Sequence, residues 1–387
     1  MRFNELIGES PTLVFAQAAR ERKKRGEAII SLGLGEPDFR TPDHIIKATV
    51  QALNQEKYGK YSSPNGIIEL REAIAEKLQI ENGIVTAPNN IIITPGAKQA
   101  FVLALMALLE PGDEVINISP SYVSYIPGIK IAEPGAIIRN VVLNQKDLSL
   151  DFEELHRSLS ERTKVIIINS PHNPTGKMYS LAELIGIAEF ARNHNIYVLS
   201  DEVYELLNFS GDRHYSIASF DGMDDLVITI NGFSKSFAMT GWRIGYMCLP
   251  TQLIDKASKL QQHINTNTCT FIQPGALAAI KGPKKHISDY NKELRKRVGL
   301  FNDFIGRSSK ISAFNSQGGF FGFINISGTA FSHSNDFCAE LIKETGVAMT
   351  PGIAFGKEWD NFVRISFAVD RDELEKALNM LEKFLNK

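Results

Sequence analysis

The sequence predicts an α/β protein: a mostly parallel central sheet with helices on both faces, joined to a smaller α+β domain. Three observations carry this expectation. At 387 residues the chain exceeds one simple core, so two domains are the default. Short apolar runs alternate with amphipathic stretches through the middle of the chain, as βα units require. From about Lys284 the pattern changes to charged helix, glycine-rich strand, helix, strand and helix.

Taken in chain order, the first element is a helix ending in the basic run Arg20–Arg25, closed by Gly26. Cations there complement the helix dipole, so the run reads as a solvated face rather than a binding patch. Thr41 with Pro42 predicts an N-cap with proline at the first helical position. The apolar runs predict strands at Asn90–Thr94, Glu114–Ser119, Lys164–Asn169, Ile196–Ser200 and Leu226–Asn231. Ser180 with Glu183, and Asp370 with Glu373, have capping-box spacing. The last helix carries a core stripe at Leu374, Ala377, Leu378, Leu381 and Leu385. The expected division is an N-terminal arm contributing to the small domain (1–45), a large domain (46–283) and a C-terminal small domain (284–387).

Composition narrows the function classes. A net charge of −2 gives no reason to expect nucleic acid or an acidic membrane as partner. Cys248, Cys269 and Cys338 have no paired spacing, which fits neither a disulfide framework nor a thiolate metal site. Three scattered, buried thiols suit a reducing cytoplasm. Glu5 and Glu9 without an apolar core segment argue against a secretory signal. The longest apolar run, Ala100–Leu109, is well short of the roughly 20 residues that cross a bilayer. The expectation is a cytoplasmic protein with no membrane contact and no bound metal.

Five local features bear on chemistry and stand at the C-terminal ends of predicted strands, where open α/β sheets bind ligands. Thr94-Pro95-Gly96-Ala97-Lys98 runs through small residues into a helix, where backbone N–H groups and the dipole favour a phosphate; a plain tight turn is an equal reading. Nucleotide fingerprints are missing. Gly33-Leu34-Gly35 has Asp38 where a third glycine belongs, and Met178 follows Gly176-Lys177. Asn169-Ser170-Pro171-His172-Asn173-Pro174-Thr175-Gly176 is a rigid loop that can aim Asn173; His172 has no metal-spaced partner and reads as structural. Asp201-Glu202-Val203-Tyr204 puts a carboxylate at a strand end, to pair with a cationic nitrogen or to cap a following helix. Lys235, in Asn231-Gly232-Phe233-Ser234-Lys235-Ser236 ahead of Gly241-Trp242-Arg243, sits in poor surroundings for a charge, and a neutral amine can attack an aldehyde. Arg364 lies in the apolar stretch Phe362–Phe367 and needs an anionic partner, from the protein or a substrate.

One chemistry uses all five: an amine to hold an aldehyde, an acid for a pyridine nitrogen, donors to a phenolate, a phosphate cup and an arginine for a carboxylate. That is pyridoxal 5'-phosphate acting on amino acids. With these motifs in order, from Gly33 to Arg364, the chain resembles the class I/II aminotransferases of pyridoxal-phosphate fold type I. The similarity falls in the branch holding bacterial aspartate and aromatic aminotransferases. The resemblance implies that Lys235 carries the cofactor and Asp201 pairs with its ring nitrogen. It implies that Asn173 and Tyr204 hold the phenolate and Tyr122 stacks on the ring. The phosphate would lie on Gly96, Ala97, Lys98, Ser234 and Arg243, with Tyr61 reaching the site of a partner subunit in a homodimer. Gly35, through its backbone, and Arg364 would receive the substrate carboxylate, with Asn173 beside them.

The implied activity is transfer of an amino group from an L-amino acid to a 2-oxo acid, 2-oxoglutarate or pyruvate, by a ping-pong mechanism. A lyase of the same fold would share every residue named. A regulator with an aminotransferase-like domain would carry a basic helix-turn-helix segment first, whereas here the aminotransferase arm begins at once. For the donor's side chain, Met106 where acid-specialised relatives place a cation favours neutral or aromatic donors, with Thr12 and Tyr122 near the pocket.

Overall fold

A computed structural model of the chain describes residues 7–8 and 11–387, and for residues 11–16 and 18 their backbone only. Glu5, Glu9 and the side chain of Thr12 therefore lie outside the described residues.

Seven strands form the central sheet: β1 (Ile91–Thr94), β2 (Glu114–Ser119), β3 (Ile137–Val142), β4 (Thr163–Asn169), β5 (Tyr197–Asp201), β6 (Val227–Gly232) and β7 (Gly245–Cys248). Their order is β1-β7-β6-β5-β4-β2-β3, parallel except for β7, which runs against both neighbours. The five predicted strands are present, four of them shifted by one residue at one or both ends. Two were not foreseen. The edge strand β3 exposes Arg139 and Asn140 and so lacks an apolar run, and β7 is too short to stand out.

The other strands are largely buried, with apolar residues on both faces, because both faces of the sheet are covered. Their side chains alternate between two cores: Ile91, Ile93, Ile166 and Ile168 enter one, and Ile92, Val165 and Ile167 the other. Helix starts follow the sequence unevenly. Ser180 and Glu183 form a complete capping box, whereas Asp370 caps its helix through the Asp372 N–H alone. Thr41 is not a cap. The helix begins at Asp43 after Pro42, and the Thr41 hydroxyl donates to the Ala238 carbonyl (2.6 Å).

A second, antiparallel sheet holds β8 (Ser312–Ala313), β9 (Phe321–Asn325), β10 (Thr350–Pro351) and β11 (Phe362–Ser366), in the order β10-β11-β9-β8. Its core joins Phe301, Val363 and Ile365 to the terminal-helix stripe Leu374, Ala377, Leu378, Leu381 and Leu385, and takes in Ile30 and Leu32 from the N-terminal segment. Ile30–Ser31 pairs in parallel with Val347–Ala348, which delivers residues 33–36 to the boundary between the two sheets. Cys269 is exposed, unlike Cys248 and Cys338, which corrects the expectation of three buried thiols. Among the described residues no helix is long and apolar enough to cross a membrane.

A buried polar network underlies the ends of β5 and β6. Lys77 Nζ donates to Glu205 Oε1 and to Asn82 Oδ1 (2.7 Å); Asn82 donates to Glu205 Oε2 (2.6 Å), and Asn231 to Glu205 Oε1 (2.6 Å). Ser216 and Ser200 donate to Glu202 at 2.6 and 2.9 Å. Glu202, Glu205 and His214 have the spacing to hold a metal ion, but these protein donors already occupy the carboxylate oxygens. Removing one partner of a buried ion pair typically costs about 3–5 kcal/mol. We expect Lys77→Met to lose stability on that scale in urea unfolding; stability within about 1 kcal/mol of the parent would show that the pair contributes little.

Candidate active site

The strand directions decide where the motifs meet. β1, β4, β5 and β6 point the same way, so the loops leaving them open at one edge of the sheet. β7 starts at that edge, with Gly245 in register with both Thr94 and Gly232. Arg243, just upstream, is thereby returned to the loops after β1 and β6. Together with β11 of the second sheet they enclose a cavity of about 390 Å³.

Gly96 opens the helix Ala97–Leu108 at φ 84°, and a Cβ there would stand 2.5 Å from Arg243 Nη2. A side chain at this positive φ would be strained and would push the guanidinium off the helix N-terminus. Arg243 is itself left-handed (φ 54°), held by a 2.8 Å bond from Nη1 to the Thr240 carbonyl. Ala97, Lys98 and Ser234 line the cavity beside it. Free N–H groups, a helix dipole and a guanidinium at one point make an anion cup of the kind that takes a phosphate.

Lys235 is half-buried, with Nζ donating to the Gly35 carbonyl and lying 6.0 Å from the Tyr204 ring and 5.7 Å from that of Phe320. Burial pulls its amine down to about 8, although Glu36 works in the opposite direction. Asp201 ends β5 and accepts a 2.7 Å bond from Tyr125 and a 3.2 Å bond from the Val203 N–H. Burial pushes its carboxyl up to about 6, against the pull of the Tyr125 hydroxyl. No helix follows it, so the reading of Asp201 as a helix cap fails. Asn169 ties the neighbouring loops together: its amide donates to the Asp201 carbonyl, and its oxygen accepts from the Asn173 N–H, both at 2.8 Å. Tyr204 hydrogen-bonds Asn173, and burial raises its phenol.

Arg364 donates to Asn173 Oδ1 (3.0 Å), the Gly33 carbonyl (2.6 Å) and Thr350 Oγ1 (3.3 Å), with its guanidinium carbon 4.4 Å from the Phe321 ring. Its Nε is buried without a partner. Burial lowers it to about 10, so it remains a cation at neutral pH. All three acceptors are neutral. A buried guanidinium bonded only to neutral atoms leaves a charge to be met from the cavity.

Of the predicted residues, Gly35, Ala97, Lys98, Tyr122, Asn173, Asp201, Tyr204, Ser234, Lys235, Arg243 and Arg364 line this cavity, and Gly96 lies under Arg243. Tyr61 does not; it is 85% exposed. Neither is Met106 part of the lining, which removes the ground for expecting neutral donors. Arg20 does line it, correcting the reading of the whole basic run as a solvated face. Tyr125, Asn169, Glu36 and Phe101 were also missed. Tyr125 follows Tyr122 closely and Asn169 opens the loop motif, so both lay within segments already singled out. His172 is buried against Thr175 Oγ1 (2.8 Å), and burial holds it neutral with a pKa of about 3.

Comparison with known proteins gives the family. Residues 27–381 match the family described as aminotransferase class I and II. The chain is 41% identical over 363 residues to an aspartate aminotransferase of Pyrococcus abyssi, covering 92% of each. It is 39% identical to aromatic-amino-acid aminotransferase 2 of Thermococcus litoralis, covering 93% of this chain and 92% of that one. The solved aspartate aminotransferase of Thermus thermophilus with maleate superposes with a TM-score of 0.94 at 34% identity, covering 100% of this chain and 99% of that one.

The Lys235 environment has a direct chemical readout. An amine reacts with an aldehyde only when deprotonated, so reactivity rises with pH and levels off above the pKa. In the ligand-free chain, reductive methylation of Lys235 followed by peptide mapping should be half-maximal near pH 8. Surface lysines should still be rising toward about 10.4. A Lys235 profile matching theirs would contradict the desolvated amine.

Proposed function

This chain belongs to the class I and class II aminotransferases and is a pyridoxal-phosphate-dependent transaminase of fold type I; from that premise we propose how its residues divide the work. The residues fit the cofactor. A desolvated amine near 8 and a buried carboxyl line one cavity, and the glycine under Arg243 leaves room that a Cβ would fill. Bound there, pyridoxal phosphate supplies an aldehyde to hold the amino group and a cationic ring to draw off electrons. Lys235 holds the cofactor and, once displaced by the donor's amine, moves a proton from the donor's Cα. Asp201 keeps the ring nitrogen protonated, oriented by Tyr125. Asn173 and Tyr204 donate to the ring oxygen, and Tyr122 packs on the ring face. Gly96, Ala97, Lys98, Ser234 and Arg243 take the phosphate. Arg364 takes the substrate's α-carboxylate, with Gly35 beside it, and its lack of any anionic partner among the described residues is the observation that carries this reading.

The charges of the cavity support a donor class. Arg20, Lys98, Lys235, Arg243 and Arg364 line it against two carboxylates, Glu36 and Asp201. Glu36 is engaged by Thr240, Asp201 answers the ring nitrogen, Arg243 the phosphate and Arg364 the α-carboxylate. Even if the phosphate dianion takes Lys98 as well, one cation is left over. We infer an amino donor with a second carboxylate, and a dicarboxylic 2-oxo acid such as 2-oxoglutarate as acceptor in preference to pyruvate. We also infer a homodimer working in the cytoplasm. Tyr61, at 85% exposure, supports the shared interface, and the free cysteines without paired spacing support the compartment.

Two measurements check this. Arg364→Ala should lower kcat/KM by about 30-fold to several thousand-fold for every donor, and Arg364→Lys should recover little, because lysine lacks the bidentate fork. An effect below about tenfold would reassign the carboxylate site. In the wild-type enzyme, kcat/KM for aspartate or glutamate should exceed that for phenylalanine, leucine and alanine by at least roughly tenfold, the worth of one good charge-assisted bond. Equal or reversed values would reject the donor class and leave the transaminase assignment intact.

A further inference from the structure

We propose that His214 is a positioning residue for Asp201: as the counter-charge of Glu202, the next residue in the chain, it keeps the Asp201 carboxylate ionised; this rests on the role given to Asp201 above. β5 ends at Asp201, which lines the cavity, while Glu202 lies in the polar network beneath it at 0% exposure. Four side chains meet Glu202 among the described residues. Ser216 (2.6 Å), Ser200 (2.9 Å) and Asn82 (3.4 Å) donate to it without carrying charge. The fourth is His214, whose Nε2 stands 3.3 Å from Glu202 Oε2. Lys77, the other basic group of the network, is bound to Glu205 and Asn82 instead. The network therefore pairs Glu205 with Lys77 and Glu202 with His214. A buried carboxylate left with neutral donors alone keeps an uncompensated charge.

That charge acts on the cavity side of the chain. Burial lifts the Asp201 carboxyl to about 6, Tyr125 and the Val203 N–H pull it down, and the charge of Glu202 pushes it up again. A carboxyl near 6 is ionised only about ten to one at neutral pH, so a change in the charge beside it alters how much of it can serve the ring nitrogen. His214 offsets Glu202 only while its ring is protonated. Burial opposes that state, but the bond to Glu202 and the charges of Glu202 and Glu205 outweigh it and raise the ring above its ordinary value, with Lys77 acting the other way. These three are the charged groups that face the ring among the described residues; Tyr246 lies near the same two glutamates, and burial keeps its phenol neutral. With His214 in place, Asp201 stands next to a neutral pair. Without it, Asp201 stands next to a bare anion, which favours its protonated form.

The test uses the full chain, with tyrosines carbon-13 labelled at Cζ and histidines nitrogen-15 labelled. The Tyr125 signal, identified with Tyr125→Phe, reports the state of Asp201 through their 2.7 Å bond. In the ligand-free wild type it should titrate near pH 6, and the His214 ring above the ordinary value of about 6.5. His214→Gln should raise the proton affinity of Asp201 about three- to tenfold, moving the Tyr125 midpoint to higher pH. Glu202→Gln should move it to lower pH, and adding His214→Gln to that variant should change nothing further, because the charge that His214 answers is gone. With pyridoxal phosphate bound, the acid limb of kcat/KM should rise in His214→Gln together with the Tyr125 midpoint, and His214→Lys should return both. A His214 ring titrating at or below about 6.5 overturns the inference, as does an unchanged Tyr125 midpoint in His214→Gln. A shift of the same size in the Glu202→Gln background would mark a packing role and reject it too. A Tyr125 midpoint that moves while the acid limb stays put rejects the role of Asp201, and that of His214 with it, but leaves the charge pair standing. Should His214→Gln fail to fold, the His214 titration and the Glu202→Gln shift decide.

Discussion

A single buried guanidinium holds the site in register. Arg364 is enclosed at the meeting point of the two sheets, where an unbonded cation would be prohibitively costly. Its donors reach the Gly33 carbonyl from the N-terminal segment, Asn173 from the loop after β4, and Thr350 from the second sheet. Three parts of the chain distant in sequence must therefore arrive together before the charge is satisfied. Its stacking on Phe321 adds the fourth side. Because all the acceptors are neutral, the arrangement is complete as a fold and still short of one anion, which is what a carboxylate site requires.

The same burial acts in opposite directions on the two groups at the centre of the chemistry. Removing water disfavours whichever form is charged, so the Lys235 amine falls to about 8 while the Asp201 carboxyl rises to about 6. Near neutrality the lysine is closer to its nucleophilic form than a surface lysine, and Tyr125 and the Val203 N–H keep the aspartate from rising further. Both shifts suit a site that must hold an aldehyde and then move a proton. Beneath them, the network around Glu205 anchors the ends of β5 and β6 with buried, paired charges, so the two groups stand on a rigid base.

Loop order along the chain gives little hint of how a site is assembled in space. The anion cup depends on β7 running against its neighbours: had it been parallel, Arg243 would sit at the far edge of the sheet from Gly96. The N-terminal helix is a similar case. Its basic run has a regular place in the sequence, yet Arg22 and Arg25 fasten the helix end while Arg20 faces the cavity. The difference is one of rotation about a helix axis, which matters only once the helix is seated.

Local chemistry was legible in the sequence wherever it is written in adjacent residues. Strands buried on both faces appear as runs rich in apolar residues, and so five of the seven central strands were found, while β3 and β7 were not because one is half-exposed and the other short. Ser180 with Glu183 announced its capping box, since both bonds lie within one turn, whereas Thr41 was misread because its hydroxyl bonds a carbonyl 197 residues away. Lys235, Asp201, Asn173, Arg243 and Arg364 could be singled out only together, because one chemistry uses all of them in this order while each motif alone admits a bland reading. Which of them touch, how far burial moves their protons, and that Arg20 and not Met106 lines the cavity depend on long-range packing. Sequence spacing carries residue type and local periodicity; desolvation and the direction of a side chain are set by neighbours that only the tertiary fold brings near.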